Sequence, residues 1–121
     1  MKRDPRDYLD DILVHARKAS EFIAGVSREA FAADDKTRFA VIRALEVIGE
    51  AARAIPPEIC QRFPQIPWRR MVGMRNVLLH NYMGVDYQVV YDTATVFIPD
   101  LIAELPAVIA ALDPSDDGGA Q

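Results

Sequence analysis

Apolar residues recur at three- and four-residue spacing through most of this chain, a period that fits helices and leaves no room for a regular sheet. Tyr8, Leu9, Ile12, Leu13, Ala16, Ala19, Phe22, Ile23 and Val26 form one stripe, the pattern of a helix with a single buried face. It predicts a helix from about Asp7 to Val26, with Pro5 at its start and Gly25 at its end. A short connector carrying Phe31 as a core plug follows. The next helix is capped by Asp34 or Asp35 and runs to Ile55 through Phe39, Ile42, Leu45, Ile48 and Ala52. Pro56 and Pro57 stop it. A turn or two around Glu58 to Phe63 leads to an elbow, Pro64-Gln65-Ile66-Pro67, and a third long helix spans Trp68 to about Tyr82. The fourth begins at Asp86 and reaches Leu112, where Pro99 and Pro106 are expected to kink or break it. The fold class is therefore all-α, an up-down bundle of four long helices plus a short one.

The chain of 121 residues suits one domain. Residues 1–112 would form it, and the tail from Asp113 to Gln121, with nothing to bury, would be disordered. No run approaches the roughly 18 consecutive apolar residues of a membrane span, and the N-terminus has no signal-peptide core. Cys60 is the only cysteine, which excludes an intrachain disulfide and a cysteine metal cage. A reduced, cytoplasmic location away from membranes is the expectation. A net charge of −4 argues against broad nonspecific nucleic-acid binding. The charge is uneven, however: from Pro56 to Tyr82, Arg62, Arg69, Arg70 and Arg75 face Glu58 alone. This basic segment is a candidate anion site, although arginines solvating one helix face read the same way.

Within it lies the densest chemistry of the chain, Arg75-Asn76-Val77-Leu78-Leu79-His80-Asn81-Tyr82. Arginine is always cationic and grips phosphate with a planar fork, and histidine exchanges a proton near neutrality. Together they suit phosphodiester chemistry without a metal. At 100° per residue Asn76 and His80 share a face, whereas Arg75 and His80 lie about 140° apart. Either the helix loosens near His80, or a second copy of the segment completes the site across a two-fold axis, which predicts a homodimer. Each residue also has a plainer reading. His80 fits a core histidine bonded to a backbone carbonyl, Arg75 a partner for Glu46 or Glu50, Asn76 a helix-side amide, and Tyr82 a half-buried aromatic. Trp68, Met71, Val72, Val77 and Leu78 read as core, and His15 as solvated surface near Asp11. Gly49, Ala51 and Ala52 are small enough to admit a neighbouring helix, bringing Glu50 against an arginine.

Three segments carry a resemblance: Ala40 to Ala51, Phe63 to Trp68, and Gly73 to Tyr82, the last with Arg, four residues, His, one residue, Tyr. With Gly84-Val85-Asp86 continuing the match, the chain from Tyr8 to about Leu112 resembles the HEPN superfamily, and within it the HepT-like toxins. The resemblance implies a helical homodimer, with higher assembly open. It also implies a metal-independent endoribonuclease needing no cofactor, with Arg75 and His80 catalytic at the dimer cleft and Asn76 and Tyr82 supporting them. The substrate would be tRNA or mRNA, with Arg69 and Arg70 on its backbone. The partner implied is a minimal nucleotidyltransferase, the antitoxin of a type VII-like pair, which would transfer AMP onto Tyr82. The alternative is a helical dimer without activity that binds a nucleotide or scaffolds that enzyme.

Overall fold

A computed structural model describes residues 3–80 and 84–112. The described residues form helices and no strand: α1 (Pro5–Ile23), α2 (Arg28–Ala33), α3 (Asp35–Arg53), α4 (Pro57–Arg62), α5 (Trp68–His80), α6 (Tyr87–Asp92) and α7 (Ile98–Ala111). A π-helical turn, Thr93–Phe97, joins α6 to α7. The all-α expectation holds. The end of α5 at Tyr82 and the tail from Asp113 fall outside the described residues.

Local chemistry sets the helix starts. Asp4 caps α1 through the Arg6 N–H, with Pro5 in the first turn. Asp34 rather than Asp35 caps α3: its carboxylate accepts from the Thr37 hydroxyl at 2.6 Å and from the Thr37 N–H at 3.3 Å. Those two bonds hold the Asp34 carboxyl below its ordinary range. Asp86 caps α6 through the Gln88 N–H. The elbow before α5 is pinned by the Trp68 indole, which donates to the Phe63 carbonyl at 3.0 Å.

Along the bundle, α1 lies between α3 and α7, and α5 lies against α3. The core joins Leu9, Ile12 and Ala16 of α1, Leu45 and Ile48 of α3, and Ile98, Leu105 and Val108 of the last helix. With α3 as its one extensive neighbour, α5 leaves about half of its circumference exposed.

Three expectations need correction. The connector around Phe31 is itself a helix, α2, capped by Ser27. Phe31 is buried as expected and meets the Tyr91 ring edge-on at 5.5 Å, while the Tyr91 hydroxyl donates to the Val26 carbonyl at 2.6 Å. Phe39 is not core but 71% exposed. The buried arc of α3 centres on Val41, Leu45 and Ile48, and nine residues at 100° each set Phe39 about 180° from Ile48. The prolines do not break the last helix, which continues from Tyr87 to Ala111. The π-helical turn lies just ahead of Pro99, where the proline removes a backbone donor, and the Ile98 N–H bonds five residues back to the Thr93 carbonyl. Pro106 sits inside α7 on its exposed side. This helix is long and apolar enough by composition to cross a membrane. Here its Leu101, Leu105 and Val108 are buried in the bundle, as in the core helix of a folded domain.

Candidate active site

The site begins with a missing side chain. Gly49 on α3 lies where α5 crosses so closely that a Cβ there would stand 2.7 Å from the Met71 carbonyl oxygen and closer still to the Arg75 Cβ. Only glycine allows that approach, and it presses the stem of Arg75 flat against α3. Leu45 and Leu78 line one cavity beside this seam, and Glu46 and Leu79 line another.

Because its stem is fixed, Arg75 has little choice of direction. Its side chain is 17% exposed, and its Nε lies 2.7 Å from Oε2 of Glu50. The contact is close but misaligned: the buried Nε–H has no acceptor in hydrogen-bond geometry among the described residues. The other end of the fork reaches around α5, where Nη1 donates to the Asn76 Oδ1 at 3.1 Å. Arg75 thus spans from the α3 seam to the helix edge that carries Asn76.

Asn76 belongs to an open stripe. Arg69, Gly73, Asn76 and His80 are exposed, and at 100° per residue they fall within about 60° of one another. Val77, 58% exposed, and Leu79, 39% exposed, flank the stripe on either side. His80 is therefore no core histidine. Val77 is no core residue either, because the buried arc of α5 is Trp68, Met71 and Leu78. Since α5 stays helical to His80, the loosened-helix route to bringing Arg75 and His80 together does not apply up to that residue. The Arg75–Asn76 bond shortens the angular gap instead.

Beside Arg75 opens a cleft of about 470 Å³ between α1, α3 and α5, whose wall includes Arg3, Tyr8, Arg43, Glu46, Glu50 and Arg75. Its charges are partly matched. Arg3 pairs with Asp11 at 2.9 Å and lies over the Tyr8 ring, and Arg43 stands 3.6 Å from Glu46. Among the described residues no three His, Cys, Asp or Glu side chains converge as a metal cage.

The remaining arginines of the basic segment divide. Arg62 stacks on Phe63 and donates to the Ala111 carbonyl, so it ties α4 to the end of α7. Arg70 is exposed but lies 4.5 Å from the centre of the Phe97 ring, a cation–π contact. Arg69 makes no hydrogen bond, ion pair or ring contact among the described residues and stands on the same stripe as His80. Tyr82 lies outside the described residues. His15, read as surface, is half-buried, with Nδ1 2.8 Å from the Asp11 carbonyl. The sequence pointed to Glu50 as a partner of an arginine but did not separate it from Glu46. The signal that separates them is Gly49, which fixes the register of the crossing.

Comparison with known proteins gives one consistent result. Residues 12–108 match the family model described as ribonuclease HepT-like. The chain is 48% identical over 101 residues to a protein of Thermococcus cleftensis named "Probable ribonuclease HepT", covering 84% of this chain and 92% of that one. It is 40% identical over 112 residues to a protein of Methanocaldococcus jannaschii named as a putative RNase, covering 93% and 97% respectively. No solved structure matches the chain significantly.

Proposed function

The chain belongs to the ribonuclease HepT-like family, and from that premise we propose that it is a metal-independent endoribonuclease, the toxin of a HEPN/MNT toxin–antitoxin pair acting in the cytoplasm. The observation that carries this reading is the Arg75 fork reaching Asn76 on the face where His80 stands open to solvent.

In this reaction His80 takes the proton from a ribose 2′-hydroxyl, and the 2′-oxygen attacks the adjacent phosphorus. Arg75 holds the phosphate through its guanidinium and stabilises the charge that builds on the phosphoryl oxygens. The bond from phosphorus to the 5′-oxygen breaks, and that oxygen takes a proton from His80 of a second copy or from water. The product carries a 2′,3′-cyclic phosphate. Asn76 orients the Arg75 fork, and Arg69 and Arg70 hold the RNA backbone, Arg69 the freer of the two. The nucleophile belongs to the substrate, so no metal has to generate one. Replacing the RNA by the same sequence with 2′-deoxyribose throughout is expected to abolish cleavage. Equal cutting of that DNA contradicts the mechanism.

The second copy is argued from the surface of α5. Val77 and Leu79 expose apolar area on both sides of the Arg69–His80 stripe, and burial of such flanks drives association. A homodimer packed on this face brings two copies of Arg75 and His80 to one cleft. Tyr82, placed by its motif alone, is the residue a nucleotidyltransferase antitoxin would modify with AMP. An added phosphate two residues from His80 would compete with RNA for Arg75. The expected outcome is that Tyr82→Phe remains toxic to cells and is no longer neutralised when the partner enzyme is co-expressed. Full protection of that variant rules out modification at Tyr82 as the main route.

A further inference from the structure

We infer that Glu50 is a built-in stand-in for the substrate phosphate, a carboxylate that occupies Arg75 while the cleft is empty and leaves when an RNA phosphate arrives. The inference rests on the reading of Arg75 as the phosphate holder.

Three features carry it. The Glu50 carboxylate is close to the guanidinium, at 2.7 Å, yet the Nε–H does not point along that line. Charge is balanced, but the directional bond that would make the pair permanent is missing. The two partners also differ in what holds them. Arg75 is 17% exposed, with its stem packed over Gly49, whereas the Glu50 side chain is 61% exposed and faces the cleft. Separation therefore moves Glu50 into water at little cost and leaves Arg75 where it is. Without Glu50 and without substrate, a mostly buried cation would have no anion beside it, which is costly. A phosphate entering the cleft supplies that charge with better geometry, because its oxygens match the guanidinium fork.

The consequence is competition. Glu50 weakens phosphate binding at Arg75, and by returning it helps expel the cyclic-phosphate product. Glu46 lines the same cleft but faces Arg43, so it provides a control of equal charge.

The test titrates inorganic phosphate into the full chain and reads its affinity by calorimetry in every variant, with the Nε–Hε signal of Arg75 followed by NMR in those that keep the arginine. A charge pair with one exposed partner, contributing up to about 1 kcal/mol, converts to a fivefold change in affinity. Glu50→Gln is therefore expected to bind phosphate about threefold to fivefold more tightly than wild type. Glu50→Asp, which draws the same charge back by one methylene, should give a smaller gain of the same sign and serves if the glutamine variant folds poorly. Glu46→Gln should change little, and Arg75→Gln should remove the gain. In RNA cleavage, Glu50→Gln should lower KM and kcat together, as slow product release requires. Unchanged phosphate affinity in both Glu50 variants, an equal gain from Glu46→Gln, or a gain that survives Arg75→Gln overturns the inference. If wild type cuts no RNA, the ribonuclease reading fails on its own, and the phosphate series still decides the role of Glu50.

Discussion

His80→Ala is expected to lower the single-turnover rate of RNA cleavage by a factor of about 10²–10⁴, the usual contribution of a positioned general acid or base. The loss should come without unfolding. His80 is exposed at the last residue of α5, and its imidazole makes no hydrogen bond or ion pair to a described residue. Surface substitutions of this kind change stability by about 0.5 kcal/mol or less. Thermal denaturation of the variant should therefore overlay that of wild type while cleavage disappears. A variant that cuts at the wild-type rate removes His80 from the chemistry. A variant that melts far below wild type shows instead that the imidazole is structural, contrary to its exposure.

The second large effect is expected far from any titratable group. Gly49→Ala adds one methyl to α3, and helix propensity alone would make the change favourable by about 1 kcal/mol. The crossing reverses the sign. The new Cβ meets the Met71 carbonyl oxygen and the Arg75 Cβ, neither of which lies at the end of a flexible side chain. The α5 backbone has to move away from α3. Overpacking of this kind costs about 1–3 kcal/mol, so after the propensity gain a net loss of about 1 kcal/mol, and at most about 2, is expected in chemical denaturation. The displacement carries Arg75 away from Glu50, and a misplacement of about 1 Å at such a residue costs about 100-fold in rate. Gly73→Ala is the control, because a Cβ at Gly73 meets nothing within 4 Å in the same chain. A stable, fully active Gly49→Ala protein would mean that the close crossing does not position Arg75.

These two residues also mark how far the sequence could be read. Periodicity located the four long helices because each buries a stripe, and Asp34, Asp86 and Pro5 fixed their starts through chemistry local to a few residues. The small residues around Gly49 announced a close approach, and the motif placed Arg75 on the approaching helix. Phe39 and Val77 misled the reading for one reason: their spacing fits an apolar stripe, but which arc is buried depends on where the neighbouring helix lies. The α2 helix escaped notice because it is six residues long, too short for a period to register, and is held by tertiary contacts of Phe31 and Tyr91. Proline rules predicted a kink or a break at Pro99 and Pro106; the helix does not break, and a π-helical turn lies just ahead of Pro99. The reach of Arg75 to Asn76 involves adjacent residues, and ideal helical angles do not describe a side chain long enough to curl around its own helix.

The most direct test of the central claim is the end group left on RNA by unmodified wild-type protein made without any partner and assayed in EDTA. Metal-independent cleavage leaving 2′,3′-cyclic phosphate ends, and lost in His80→Ala, is the predicted result. No cleavage from the folded, unmodified protein, or cleavage that leaves 5′-phosphate ends and stops in EDTA, would contradict it. The first of these outcomes would leave the chain as a helical scaffold for a nucleotide or a nucleotidyltransferase.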